Sequence, residues 1–162
     1  MDSAFKQSLW KQFGAAIDML ENAVGACPDD LWDTDSKFWY KAYHTLFFLD
    51  YYLSEEPEKF LPPAPFTLSE LEPDVMPGRV YNKEELLIYA AHCRQKCHNL
   101  IAGLTAETAT KRWANAYRDY SLPEILLYNM RHVQHHTGQL NMLLSQNKKD
   151  APGWVSQTKT DL

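Results

Sequence analysis

The chain has 162 residues, of which 16 are Lys or Arg and 21 are Asp or Glu, giving a formal net charge of -5. A composition that is 45% hydrophobic and 23% charged is typical of a globular protein and excludes a disordered chain. The negative charge disfavours nonspecific binding to nucleic acid or to an anionic membrane, because both require a cationic surface. The length predicts a single domain over residues 1–162, and the six histidines and 13% aromatic content are its unusual features.

Three features of the sequence favour a cytoplasmic location. The most apolar stretch, residues 38–53, is interrupted by Lys41, His44 and Asp50, so it falls short of the roughly 18 apolar residues that a membrane-spanning helix needs. The first residues lack the basic start and apolar core of a secretory signal peptide. The three cysteines are an odd number and too few for a disulfide framework, as expected in a reducing compartment.

Hydrophobic residues recur every three or four positions in four segments, a spacing that predicts amphipathic helices. The first segment covers residues 3–24, with Ser3 as its N-cap and with Gly25 and Pro28 as its stop signal. The second segment covers residues 36–53 and is apolar or aromatic on most of its circumference. We therefore expect the second helix to be buried on more than one side.

The third and fourth segments begin with recognisable capping residues. The third covers residues 82–104 and starts at Asn82, a favourable N-cap. The fourth covers residues 121–146, and the spacing of Ser121 and Glu124 predicts a capping box at its start.

The connections between these segments differ in character. Residues 54–81 hold six of the nine prolines, which excludes a regular helix and predicts a long crossover along the bundle. Residues 105–120 carry Trp113 and Tyr117 and are predicted to pack against the bundle, and Trp154 in the C-terminal tail is predicted to be tucked down. The predicted fold is all-α: a four-helix bundle with a long Pro-rich crossover between the second and third helices.

Two histidines of the fourth helix, His132 and His136, are four residues apart and lie one turn apart on its apolar face, whereas His135 points away. A pair at this spacing can chelate one divalent ion. His44 offers a third imidazole on the aromatic second helix. The spacing leaves two interpretations open, a metal site or core histidines hydrogen-bonded to tyrosines.

The run from Leu126 to Leu140, LLYNMRHVQHHTGQL, together with an aromatic second helix and a proline-rich crossover, resembles the DinB-like family of four-helix bundles. The resemblance implies that three histidines bind one divalent metal ion: His44 of the second helix, and His132 and His136 of the H-x-x-x-H motif. The Gly-Gln pair after the motif matches its usual continuation. Zinc, nickel, iron and manganese all accept imidazole, so ligand type does not distinguish among them.

Residues near the predicted ligands are candidates for a supporting role. Asn129 lies on the inward face of the fourth helix, where it either contacts a metal-bound water or fixes the packing of the bundle. Tyr40 is a candidate for orienting a ligand histidine. Asp50, two turns from His44, is predicted to point elsewhere, to solvent or to a neighbouring helix.

The sequence disfavours two other kinds of metal site. Cys93 and Cys97, flanked by His92 and His98, have a spacing compatible with a soft metal or a redox pair. Both cysteines lie on the seam of the third helix, however, where a role as small core residues is favoured. A ferritin-like di-iron centre needs Glu-x-x-His on two helices, and no Glu in this chain is followed by His three residues later.

Three histidine ligands leave a coordination position open for water, substrate or thiolate. The family resemblance implies thiol chemistry, since relatives transfer bacillithiol or isomerise substrates with mycothiol. We therefore predict a metal-dependent enzyme acting on a small molecule, either a thiol S-transferase or a hydrolase. The alternative is a non-catalytic dimeric bundle, with a structural metal or none, that acts by partner binding. The aromatic excess of the second helix predicts a homodimer in both cases.

Overall fold

Each of the four predicted segments forms a helix in the computed structural model, which describes residues 2–147 and 149–162. The all-α prediction is confirmed, with one small sheet in addition. None of the described helices combines the length and the apolar composition needed to cross a membrane. The helices are α1 (Ser3–Ala26), the short α2 (Asp29–Trp32), α3 (Phe38–Tyr52), α4 (Lys83–Ala102) and α5 (Leu122–Gln146). The strands are β1 (Arg112–Ala114) and β2 (Asp119–Ser121).

Local capping explains where the helices begin. The predicted N-caps Asn82 and Ser121 both accept a backbone N–H of the first turn. Asp2, and not Ser3, caps α1 through its side chain. Helix α3 begins two residues later than predicted, because Lys37 has a φ of 51° and a left-handed residue cannot continue an α-helix.

Contacts along α3 define the directions of its neighbours. Tyr52 at the end of α3 packs on Tyr128 near the start of α5, so these two helices are antiparallel. Asp50 binds Lys96, and both residues lie near the C-terminal ends of their helices, so α3 and α4 are parallel. Parallel neighbours need a connection that returns along the bundle, which explains the length of the crossover, residues 54–81. Helix α1 packs on α4 and α5, diagonally opposite α3.

The crossover covers the side of α3 that faces away from the bundle axis. The ring of Phe60 lies 5.4 Å from that of Phe47, and the ring of Phe66 lies 5.8 Å from that of Tyr43. Most aromatic side chains of α3 are consequently buried within one chain. Aromatic surface on α3 therefore does not require a second chain to cover it, and the homodimer stays a prediction.

A β-hairpin between α4 and α5 was not predicted. Trp113 of β1 pairs with Tyr120 of β2, and the Trp113 ring is buried against Tyr51 and Tyr52. Packing of this link on the bundle is thus confirmed for Trp113. The prediction that Tyr117 packs on the bundle is wrong, because this residue is 88% exposed at the hairpin turn.

The C-terminal tail packs on α1 through a residue other than the predicted tryptophan. Thr158 is buried, and its backbone N–H donates to the carbonyl of Lys11 at 3.0 Å. Gly14 permits this approach, since a Cβ there would lie 2.6 Å from Thr158 Cγ2. Trp154, predicted to be tucked down, is 72% exposed.

Candidate metal centre

The three predicted ligands meet between α3 and α5. One ligand atom from each of His44, His132 and His136 lies within 4.8 Å of the others. The His132 and His136 rings are 4.5 Å apart because they are one helical turn apart on α5, and the His44 ring lies 4.9 Å from that of His136. Among the residues that the structure describes, this is the one group of three or more His, Cys, Asp or Glu side chains close enough to share an ion.

A buried carboxylate fixes the first of these imidazoles. Glu70 Oε2 lies 2.6 Å from His44 Nδ1, and the Glu70 side chain is only 2% exposed. A carboxylate at this position keeps the proton on Nδ1 and leaves Nε2 as the metal donor. Glu70 belongs to the crossover, and sequence reasoning missed it because nothing distinguishes it from the other acidic residues of that segment.

The other two imidazoles have different partners. His136 Nδ1 lies 2.9 Å from the side-chain oxygen of Gln139, which fixes the orientation of that ring. His132 Nδ1 is buried and has no hydrogen-bond partner within the chain. His135, predicted to point away, is exposed and contacts Gln139.

Burial favours the neutral form of the two α5 histidines. Burial, followed by the proximity of His136 and His44, lowers the pKa of His132 to about 3. Burial also lowers the pKa of His136. Neutral imidazole is the form that donates a lone pair to a metal ion, so His132 and His136 are prepared to bind a cation without prior loss of protons.

Unsatisfied polar atoms around the cluster fit a bound cation. Glu70 Oε1, Asn129 Oδ1 and His132 Nδ1 are all buried without a partner in the chain. Seven such atoms occur among the described residues, and two of them, Glu70 Oε1 and His132 Nδ1, belong to the histidine cluster and its carboxylate. Buried polar atoms are normally hydrogen-bonded, so these two positions are suited to a bound ion, water or ligand. Three imidazoles beside a buried carboxylate are a donor set that suits a divalent metal ion.

Asn129 and Tyr40, the two residues predicted to support the ligands, occupy different positions. The Asn129 amide donates to the backbone carbonyl of Leu49 at 2.9 Å, so its nitrogen fastens α5 to α3. Tyr40 lies beside Glu70, and burial, followed by the charge of that carboxylate, raises its pKa to about 12. Tyr40 therefore contacts the carboxylate that holds His44.

Aromatic rings form one wall of the site, and solvent reaches it from another side. Phe48 lies 4.8 Å from the His44 ring and Tyr52 lies 5.7 Å from the His132 ring, measured between ring centres. Beside His132 is an open depression of about 500 Å³. Its lining residues all come from α5: Tyr128, Arg131, His132, Gln134 and His135.

The rival cysteine site is not supported by the structure. Cys93 and Cys97 are fully buried free thiols in the core, and burial raises the pKa of each thiol. A thiol with a raised pKa is a poor metal ligand and nucleophile at neutral pH. Neighbouring His92 is exposed, and His98 packs edge-on against Trp10.

Two positions were predicted for the Asp50 side chain, in solvent or against a neighbouring helix, and the first is wrong. Its side chain is 1% exposed and faces α4, where it accepts hydrogen bonds from Lys96 Nζ at 2.5 Å and from the Tyr89 hydroxyl at 3.1 Å. The pairing of helices, the other predicted position, is confirmed. Because it faces α4, Asp50 takes no part in the histidine cluster.

A bundle with three histidines converging from two helices defines a class of candidate metalloproteins. The family model of the DinB superfamily matches residues 12–140, which include all three histidines, and the chain belongs to this superfamily. No curated protein and no solved structure gave a significant match to the chain.

Proposed function

We propose that the protein is a divalent-metal-dependent enzyme acting on a small molecule, as a thiol S-transferase or a hydrolase. The observation that carries this proposal is the convergence of the His44, His132 and His136 donor atoms within 4.8 Å. Membership of the DinB superfamily supports it.

Each residue of the site has a distinct task in this proposal. The three histidines hold the ion, and Glu70 and Gln139 keep the His44 and His136 rings in the metal-binding orientation. A divalent ion on three imidazoles, when bound, lowers the pKa of a coordinated water or thiol and so supplies a nucleophile at neutral pH. The surrounding aromatic rings exclude water from one side and strengthen electrostatic interactions within the site.

The geometry favours an open site over a closed structural one. Structural zinc sites usually have four protein ligands, whereas catalytic sites have three and leave a position for substrate. Here three side chains converge, and the depression beside His132 gives a small molecule access to that side. These features support catalysis and disfavour the alternative of a non-catalytic bundle with a structural metal.

Metal analysis of protein purified without a polyhistidine tag tests the site. We expect about one divalent ion per chain in the wild type and none in His132→Ala, because two imidazoles do not complete the donor set. His92→Ala is the control: it removes an exposed histidine of α4 that lies outside the cluster, and full metal content is expected. Sub-stoichiometric metal in metal-replete wild type, or no loss in His132→Ala, would contradict the proposal.

Activity assays then separate the two reaction classes. The metal-loaded protein is incubated with thiols and a panel of electrophiles for S-transfer, and with a panel of esters and amides for hydrolysis. Turnover that disappears in His132→Ala and persists in His92→Ala supports the corresponding class. Inactivity on both panels at full metal occupancy would favour the non-catalytic alternative.

A further inference from the structure

Two arginines near the histidine cluster have no acidic partner. The chain has five arginines, and three of them form ion pairs with carboxylates. Among the described residues, no carboxylate lies within ion-pair distance of Arg118 or Arg131. In a chain with a net charge of -5, two unpaired guanidinium groups beside one site are unusual.

Arg118 contacts Tyr128, one of the residues that line the depression beside His132. Its Nη2 donates to the Tyr128 hydroxyl at 3.1 Å, and its guanidinium carbon lies 5.3 Å from the centre of the Tyr128 ring. Tyr128 and His132 are one turn apart on α5 and line the same depression. The Tyr52 ring lies between the two groups, 6.0 Å from the guanidinium carbon of Arg118 and 5.7 Å from the His132 ring.

The hairpin holds Arg118 in this position. Asn115 Oδ1 accepts the backbone N–H groups of Tyr117 and Arg118, each at 2.9 Å, and Asn115 Nδ2 donates to the Tyr51 hydroxyl at 3.2 Å. Trp113 anchors the preceding strand in the core. The backbone of Arg118 is therefore fixed relative to α3, which reduces the entropy lost when its side chain binds a ligand.

Arg131 is an exposed residue of α5 that lines this depression beside His132 and Tyr128, and it also lines a second depression with Gln12 and Trp154. Guanidinium groups bind carboxylates through paired, charge-assisted hydrogen bonds, and unpaired arginines at a cavity indicate such a ligand. One donor of the candidate metal centre, His132, also lines the depression, so a ligand held here would lie beside that centre.

We propose that this depression is the substrate site and that Arg118 and Arg131 bind a carboxylate group of the substrate while its reactive end reaches the histidine cluster. The inference rests on the proposed metal-dependent function and adds the substrate class, a small molecule carrying a carboxylate. It also gives the hairpin a role in specificity.

A matched pair of thiols tests the inference. Protein loaded with Co²⁺ is titrated with 3-mercaptopropionate and with its neutral isostere 3-mercaptopropionamide, and thiolate binding is followed by the cobalt absorption spectrum. We expect the carboxylate to bind at least about tenfold more tightly, because it gains charge-assisted hydrogen bonds. Arg118→Gln and Arg131→Gln should each reduce this preference, with unchanged affinity for the amide.

Two further variants separate recognition from folding. Arg112→Gln removes an arginine of the same hairpin that is already paired with Asp119, and it should leave the preference unchanged. Tyr128→Phe removes the hydrogen bond to Arg118 without removing the charge, and it should retain most of the preference. Equal affinity for the two thiols in cobalt-loaded wild type would overturn the inference alone. A wild type that binds no cobalt would overturn the proposed function and this inference with it.

Discussion

Two polar clusters lie along α3, one facing α5 and the other facing α4, and their hydrogen bonding differs. In the cluster facing α4, the carboxylate of Asp50 accepts from Lys96 and Tyr89, so the buried charge has a cation and a hydroxyl as partners. In the cluster facing α5, Glu70 Oε1 and His132 Nδ1 have no partner in the chain. The first cluster is complete within the protein, and the second is not.

The contrast separates a structural role from a ligand-binding role. A satisfied network stabilises one packing arrangement of the helices and has no capacity for a further ligand. Buried polar atoms without hydrogen-bond partners are unfavourable in isolation, and a bound ligand can relieve this cost. Both clusters are polar and contain a buried carboxylate. Residue type therefore does not distinguish them, whereas the hydrogen-bond partners of their atoms do.

The largest expected effect is a loss of stability when the cluster facing α4 is disrupted. Asp50→Ala should lower the free energy of unfolding by about 3 kcal/mol, because it breaks a buried ion pair. This value lies at the low end of the usual cost of removing one partner of a buried ion pair, because the Lys96 side chain is 30% exposed and can reach water. Urea unfolding followed by circular dichroism measures the loss.

The double variant Asp50→Leu with Lys96→Met is the control for this prediction. Replacing both members of a buried pair with apolar residues should recover most of the lost stability. Metal content should remain at the wild-type level in Asp50→Ala. A metal-binding defect in that variant would show that the two clusters are not independent.

A smaller effect, on metal affinity, is expected when the carboxylate that holds His44 is replaced. Glu70→Gln should weaken metal affinity by about 10- to 100-fold, because it removes the negative charge that orients His44 and increases its basicity. Competition with a chromophoric chelator measures the affinity. Glu72→Gln, an exposed glutamate of the same crossover, should have wild-type affinity. Equal affinities for the two variants would show that Glu70 does not support the site.

The smallest expected effect is the pH dependence of the metal-free protein. The pKa of His132 is about 3 in the folded chain and about 6.5 when unfolded. Between these values the unfolded chain binds the extra proton, so stability should fall as pH decreases below about 6.5. From pH 7 to pH 5.5 this residue should account for about 1 kcal/mol, measured as the difference between wild type and His132→Asn. A variant with the wild-type pH dependence would contradict the lowered pKa.

The sequence was sufficient for the helices and for the convergence of the histidines, because both depend on local periodicity. The spacing of His132 and His136 places them on one face of any α-helix, and the aromatic surroundings of His44 require that its helix be buried. The caps at Asn82 and Ser121 depend on residues within one turn.

Local periodicity could not predict three features: the position of Glu70, the position of Arg118, and the hydrogen bonding of Asp50. Glu70 reaches His44 only because the crossover packs along α3, and no periodic pattern records that path. Arg118 depends on a hairpin with strands of three residues, which is too short for an alternating pattern to be recognised. Asp50 is buried because Lys96 of a parallel helix meets it, and the parallel direction is a property of the whole topology.

The wide separation of the histidines in the chain links metal supply to the folding equilibrium. The donor set is complete only after α5 has docked on α3, so the unfolded chain has no equivalent site. An ion that binds only the folded chain stabilises it by RT ln(1 + [L]/Kd), about 2.7 kcal/mol when the free ion is at 100 times Kd. Under the proposed function, the concentration of free metal ion would therefore control how long each molecule resists unfolding and proteolysis, in addition to whether it is active.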